Sequence, residues 1–530
     1  LVSPEQRPLE GQLGAEFPGD PAALEAYVQA AAAVFGVQDR DRVPLWSERL
    51  RLGQADVRRL AAADCPHDTA PIGLPPETAP ISRPLRAGRG RLEEISQGVA
   101  LGRTDPVERV QKALHAISTH QALNAMRHVD ADGALAQARA LRERAQRGER
   151  LGRMAGVLVA VKDCFLVAGL PSTSGTNAWP VQVPARSTLC VERLQQEDAI
   201  VVGMTTMHEL AFGATTDNPH FGRVRNPADP ERLAGGSSGG SAVAVACDMA
   251  DVALGTDTAG SVRMPAALCG ISGFKPSYGI VPTSGMLPLA WSLDHVGSMG
   301  TAVSDHALLT EVMAGLAQGS LRCEAPAVVR ATAPTNYFQD LLEPEVRELY
   351  LAALLRLRKA GVQIAQEPVA GLELAPSLQF FTVSAEAAQV HADRALRNPE
   401  GVGDEVRVRL ESGQFLRAVD YIKAQRMRSV LQESLAAPLR RGSHVLITPA
   451  VITVPPFPGA TVDVAGTSLP IHPALTRCTL PFNLTGMPAI AIPCGRTRTG
   501  LPVAIQLAAA RGDDARLLAI AERVEEILGR

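Results

Sequence analysis

A lysine, two serines and a set of glycines are the residues here whose types and spacing could carry a reaction. Lys162 ends the apolar run in GVLVAVKD at Gly156–Asp163. Ser237 sits in GGSSGGS at Gly235–Ser241, and Ser261 in GTDTAGSVR at Gly255–Arg263. One hydroxyl to attack a carbonyl, a second to pass a proton and an amine to receive it suffice for acyl transfer. Neither a metal ion nor a triad histidine is required.

Each of the three also has a plainer reading. An amine titrates near 10.4, too high for a base at neutral pH unless burial disfavours its charged form. The run VLVAV would bury Lys162, and a lowering of about two units corresponds to roughly 3 kcal/mol of differential solvation. The alternative is a strand-end lysine that reaches water or pairs with Asp163. For Ser261, DVALGTD reads as a buried strand entering the turn Thr258-Ala259-Gly260, and VRMPAALC as the helix that follows. Backbone N–H groups at such a junction lack intrahelical partners, and the helix dipole favours negative charge there. An oxyanion formed on Ser261 would meet those donors, each worth about 3 kcal/mol in a transition state. The alternative is a helix cap with no chemistry. Ser237 matches the G-x-S-x-G nucleophile elbow, but that elbow needs a buried strand before it. RNPADPERLA cannot be a central strand, which leaves an anchored loop or an inert Gly/Ser linker.

Other matches carry less. Ser272-Gly-Phe-Lys275 fits S-x-x-K without the companion motifs of that chemistry. The GGSSGG loop lacks the ending of a phosphate-binding P-loop. His208-Glu209 is a lone pair without metal-ligand spacing. His295 and His306 could each serve an esterase that used Ser237, but nothing in the sequence selects one. Cys164 reads as packing. Tyr421 and Arg428, in YIKAQRMR, are expected to shape the pocket.

Positioning these residues takes an α/β scaffold. Residues 1–64 are expected to form an N-terminal helical segment. Leu24, Tyr27, Val28, Ala31 and Phe35 recur at helical spacing there, and a second helix is expected over Pro44–Ala63. Residues 65–90 are a proline-rich linker laid across a surface. Residues 91–530 make the catalytic domain. Helices are expected at 92–120 and 131–148, then a strand at Val157–Val161 carrying Lys162. Further strands at Ile200–Gly203, Val252–Gly255, Ala489–Pro493 and Val503–Leu507 alternate with helices at Ser241–Ala250, Ser304–Ala317 and Asp513–Leu528. Residues 340–435 read as mainly helical. The alternation predicts a sheet covered by helices on both faces.

Composition narrows the function class. The 530 residues are 46% hydrophobic and 20% charged, ordinary for a soluble globular protein. A net charge of −3 offers no basic field for nucleic acid or an anionic membrane. No apolar run reaches about 18 residues, so no membrane span is expected. The opening LVSPEQRPLEGQ has neither the basic nor the apolar region of a secretory signal. Eight scattered cysteines without a C-x-x-C pair read as free buried thiols in a reducing cytoplasm. No cofactor or metal is expected.

Taken together, the three stretches resemble the amidase signature family over roughly residues 90–530. The likeness extends through GTDTAGSVRMPAALCGISGFKPSYG, AWSLDHVGSM and TLPFNLTGMPAIAIPCGRTRTGLPVAIQL. It implies a Ser–cis-Ser–Lys hydrolase on a central mixed β-sheet. Ser261 then aligns with the nucleophile, Ser237 with the bridging serine after a cis peptide bond, and Lys162 with the base. The amides of Thr258, Ala259, Gly260 and Ser261 align with the oxyanion hole, and Asp257, Arg263 and Ser238 with supporting positions. Ala259 stands where most members have glycine. The TDTAGS spelling is shared with allophanate-hydrolase-like members and points to urea- or carbamate-like substrates. The N-terminal region resembles the small helical partner subunits of some bacterial amidases, here fused. The resemblance implies a cytoplasmic amidohydrolase acting on a C–N bond of a small amide, carbamate or ureido compound, with a homodimer as its assembly. The alternatives are an α/β-hydrolase esterase using Ser237 and a glutamine amidotransferase-type subunit.

Overall fold

In the computed structural model, which describes residues 20–34, 40–63, 90–395 and 397–529, the apolar runs become the middle of one large sheet. Leu158–Lys162, Ile200–Thr205 and Val252–Asp257 are buried at every position. Strands without a polar face must be covered on both sides. These three lie side by side and parallel, with Leu158–Lys162 in the centre. Met126–Val129 pairs antiparallel on the Ile200–Thr205 side. On the other side follow His295–Gly300, Ser272–Lys275, Ala489–Arg496, Pro502–Ala508 and Val445–Pro449, each antiparallel to the one before. Arg330–Pro334 and Gln363–Glu367 complete the eleven-stranded mixed sheet in parallel. The α/β class expected from the sequence is the class observed.

Strand side chains alternate between faces. Val159, Val161, Val201 and Leu254 enter the larger core, while Leu158, Ala160, Ile200 and Ala253 enter the core beneath the Gly239–Ala246 helix. Lys162 follows Ala160 by two residues, so it falls on the side of that helix. Val161 pairs with Leu254 and Lys162 with Thr205, so the three parallel strands run out together. Space beyond the carboxyl ends of such strands is where open α/β sheets hold ligands.

Two helices precede the sheet, Pro21–Val34 and Val43–Ala62. Leu24, Val28, Trp46 and Leu50 are buried in the larger core with the sheet residues. Trp46 Nε1 donates to Glu411 at 2.6 Å, and Arg42 Nε reaches the same carboxylate at 3.0 Å. The hairpin is thereby fixed to the Asp404–Gly413 helix. Phe35 and nearly all of the proline-rich linker lie outside the described residues.

Several boundaries differ from expectation for local reasons. The single helix expected at 92–120 is two, Arg91–Ala100 and Pro106–Thr119. Proline can start a helix but not continue one, and Asp105 caps the new start by accepting the Val107 N–H at 2.8 Å. The helix expected over Ser304–Ala317 spans Asp305–Ala314 and stops at Gly315, whose φ of 71° is a left-handed cap. Within the helical stretch 340–435, Gln363–Glu367 is instead the edge strand. All seven cysteines among the described residues are free. No helix among the described residues is long and apolar enough to cross a membrane.

Candidate active site

Lys162 ends its strand fully buried, and its amine donates to Ser237 Oγ and to Thr256 Oγ1, each at 2.7 Å. Asp163, the alternative partner, turns to the amide and hydroxyl of Thr173 instead. Burial pushes the Lys162 ammonium down to about 8, against the opposing pull of Cys164, Asp294 and Asp257. The side chain is therefore an amine in reach of neutrality, bonded to a hydroxyl.

Ser237 follows a cis peptide bond from Gly236. Its carbonyl accepts the His208 N–H at 3.1 Å. The GGSSGGS run is packed, not loose. A Cβ on Gly240 would lie 2.4 Å from the backbone oxygens of both Ala125 and Thr206, so the helix that starts here needs glycine at that contact. Ser238 Oγ donates to the Thr256 carbonyl at 3.3 Å, tying the loop to the neighbouring strand.

Ser261 lies at the end of the turn that leaves Val252–Asp257. Asp257 organises this turn: its carboxylate accepts the N–H of Gly260 at 2.8 Å and of Val262 at 3.2 Å. Arg263 pairs with it, and Asn483 donates to both its carboxylate and its carbonyl at 2.8 Å. Arg263 also donates to Gln506 at 2.6 Å and to the Thr479 carbonyl at 3.0 Å. Of the four amides aligned with an oxyanion hole, that of Gly260 is taken by Asp257. Those of Thr258, Ala259 and Ser261 meet no acceptor among the described residues. Gly260 has φ of 124°, and a Cβ there would strike Thr479 Oγ1. Thr479 in turn donates to the Ala259 carbonyl at 2.6 Å. Thr258 Oγ1 donates to Asp294 at 2.7 Å.

The structure thus joins Lys162 directly to Ser237. Ser261 is a buried residue that lines the adjoining cavity, and its hydroxyl makes no hydrogen bond with any described residue. Catalytic hydrogen bonds are commonly long in unliganded enzymes and close on substrate. Thr256, Thr479, Asn483 and Gln506 were not singled out from the sequence. A threonine inside a strand and polar residues more than 200 positions downstream give no local signal.

The weaker matches fall elsewhere. Ser272 Oγ donates to the Gly300 carbonyl, and Lys275 donates to the Met487 carbonyl at 2.6 Å. His306 lies between Ser272 and Ser298, and His295 Nδ1 lies 2.6 Å from the Leu293 carbonyl. Glu209 meets Thr176 and His220. Tyr421 and Arg428 do not line the cavity, contrary to expectation. Tyr421 donates to Glu386 at 2.9 Å and Arg428 to Ser292 Oγ at 2.8 Å, and Ser292 Oγ in turn donates to Glu386, so both belong to one network of their own.

The cavity measures about 370 Å³. Ser261 and Ala259 line it together with the apolar side chains of Phe212, Phe380 and Leu480, and Arg49 and Gly53 reach it from the N-terminal hairpin. Gln379 Nε2 donates to the Thr258 carbonyl at 3.5 Å, and its Oε1 is buried without a partner among the described residues.

Comparison with known proteins agrees with this geometry. The family model described as Amidase matches residues 108–518. The chain belongs to the amidase family. It is a hydrolase of carbon–nitrogen bonds other than peptide bonds, built on the fold of that family. This amidase is 33% identical to a glutamyl-tRNA(Gln) amidotransferase subunit from Cupriavidus necator, over 82% of this chain and 96% of that one. It is likewise 33% identical to the AtzE subunit of 1-carboxybiuret hydrolase from Pseudomonas sp. strain ADP, over 79% and 94%. A crystal structure of an amidase superposes with a TM-score of 0.79 at 36% identity, covering 83% of this chain and 100% of its own. The N-terminal hairpin precedes the residues that the amidase family model matches.

Proposed function

We propose that this amidase hydrolyses a small amide, carbamate or ureido compound through Ser261, Ser237 and Lys162 by way of an acyl-enzyme. The observation that carries the proposal is the 2.7 Å hydrogen bond between Ser237 and a fully buried Lys162 that has no carboxylate partner among the described residues. Neutral Lys162 offers its lone pair to Ser237. Ser237 passes its proton to Lys162 as it takes one from Ser261, whose Oγ bonds to the substrate carbonyl carbon. The amides of Thr258, Ala259 and Ser261 receive the oxyanion, while the Gly260 amide, bonded to Asp257, keeps the turn open. Arg263 and Ser238 support the two serine turns. The proton returns through Ser237 to the leaving nitrogen, the C–N bond breaks, and the amine departs. Water then attacks the acyl group by the same relay and frees Ser261. The unfilled acceptor of Gln379, which lines the same cavity, suits a substrate N–H.

Labelling with a fluorophosphonate and mapping the adduct by mass spectrometry tests the assignment. The adduct is expected on Ser261, and Ser261→Ala should lose turnover. An adduct on Ser237 would instead support an esterase of the elbow type. A second reading, a glutamine amidotransferase-type subunit, is favoured by the likeness to the Cupriavidus protein. Assaying the purified chain on glutamine, aryl amides, carbamates and ureido acids separates the two. The free thiols support a cytoplasmic enzyme, and we propose a homodimer, which sedimentation tests.

A further inference from the structure

Arg49, Arg409 and Arg477 all line the cavity that holds Ser261. Two of the three are engaged. Arg409 lies 2.5 Å from Glu405 and donates to the Phe212 carbonyl. Arg477 donates to the Tyr337 carbonyl at 3.0 and 3.2 Å and lies 4.1 Å over that ring. Arg49 differs. It makes no ion pair and no hydrogen bond with any described residue, and its guanidinium carbon stands 5.8 Å from the centre of the Phe380 ring. Asp56, a carboxylate on the same wall, is already held by Ser377 at 2.9 Å and Arg59 at 3.6 Å.

A guanidinium is charged at every relevant pH and presents a planar fork of donors. Asp56 and Glu405 act on Arg49 from beyond ion-pair distance, and holding a guanidinium partly buried without a direct acceptor is unfavourable unless something brings one. The protein fixes Arg49 in place all the same. One turn away, Trp46 is sealed against Glu411 and lies 5.4 Å from Phe415. On the other flank, Gly53 lets the helix come so close to Phe380 that a Cβ would lie 2.9 Å from the ring. The helix Val43–Ala62 is thus docked in a way that aims a free cation into the same cavity as the nucleophile.

We propose that Arg49 is a substrate-binding residue supplied by the N-terminal hairpin, where it takes the carboxylate of a small amide or ureido acid. The inference rests on the reading that Ser261, which lines the same cavity, is the nucleophile. The hairpin is then a specificity element, because removing it would remove the group that distinguishes an acid from its neutral congener. The cavity volume suits a compact acid.

The test uses the full chain and its Arg49→Gln and Arg49→Lys variants. The probes are the ω-carbamoyl acids from malonamate to adipamate, each paired with its neutral diamide. The ratio of kcat/KM for acid over diamide is read for each pair, together with the power of each compound to slow fluorophosphonate labelling of Ser261. In the parent, at least one acid should outcompete its diamide tenfold or more. In R49Q that preference should fall at least tenfold through KM, with partial recovery in R49K. Because it is a ratio, partial loss of folded enzyme does not alter it. A preference unchanged within twofold in R49Q, or no acid preferred by the parent while Ser261 is labelled, would overturn the role of Arg49. Absence of labelling at Ser261 in the parent would overturn the underlying reading, and this inference with it.

Discussion

Arg263 grips Asp257 with two nitrogens, Nε at 3.0 Å and Nη2 at 2.9 Å, at a point where neither side chain meets solvent. Burial taken alone would raise the Asp257 carboxyl. The Arg263 charge outweighs it and holds the group ionised well below the usual carboxylate range. The same carboxylate fixes the amide of Gly260, so one ion pair sets the shape of the turn that carries Ser261.

Asp257→Asn would leave a buried guanidinium without its counter-charge. Loss of one partner of such a pair costs about 3–5 kcal/mol, and urea denaturation should show it as a lowered midpoint with an unchanged slope. Arg263→Lys should be nearly as damaging, since an ammonium cannot fork onto both oxygens. A loss under about 1 kcal/mol, the range of an exposed pair, would contradict this account.

The Lys162 ammonium, lowered to about 8, gives activity a definite dependence on pH. The working form is the neutral amine. kcat/KM should therefore climb tenfold per pH unit below about 8 and level above it. Stability should move the same way. The folded value lies below the ordinary 10.5, so between about 8 and 10.5 the unfolded chain binds more protons and stability rises with pH. Lys162→Met should abolish turnover yet raise stability below pH 8, where the parent must bury a charge. A flat profile from pH 6 to 10, measured with chemistry rate-limiting, argues against a neutral lysine base.

Thr256 offers Lys162 an acceptor, and an acceptor favours the ammonium over the amine. Thr256→Val should thus lower the Lys162 value further and move the acidic limb of the rate profile to lower pH, by roughly half to one unit. An unmoved limb would mean that Ser237 alone governs the amine.

Thr479→Val removes the hydroxyl that braces the Ala259 carbonyl but keeps the bulk against Gly260. A net hydrogen bond of about 0.5–1.5 kcal/mol predicts a two- to tenfold fall in kcat with little change in KM. Gly260→Ala should be far worse, because it adds a clash with Thr479 to a left-handed backbone. Its expected signature is loss of fluorophosphonate labelling as well as turnover.

The parts of this design that depend on local pattern were legible in the sequence. VLVAV and VALG announce buried strands because they carry no polar side chain, and Lys162 stands out as the cation that ends the first run. The helix entrances at GGSSGGS and VRMP are marked by glycine and proline. What escaped depends on which face a residue turns inward. Tyr421 and Arg428 sit on a helix with an apolar stripe through Ala424, Met427, Leu431 and Leu435, and only packing shows them facing Glu386 and Ser292. Thr256 looks like an ordinary strand threonine. Asn483 and Gln506 reach Asp257 and Arg263 from more than 200 residues away. The fate of the Gly260 amide was equally hidden, since it follows from Asp257 folding back on its own turn.

The docking of Trp46 and Arg42 onto Glu411 has a kinetic side. A wall supplied by a separate protein would drift away as the enzyme is diluted. Here the wall belongs to the same polypeptide, so its local concentration is set by the tether, on the order of millimolar for a short one, whatever the concentration of the enzyme. Specific activity should hold steady from micromolar stock to picomolar assay.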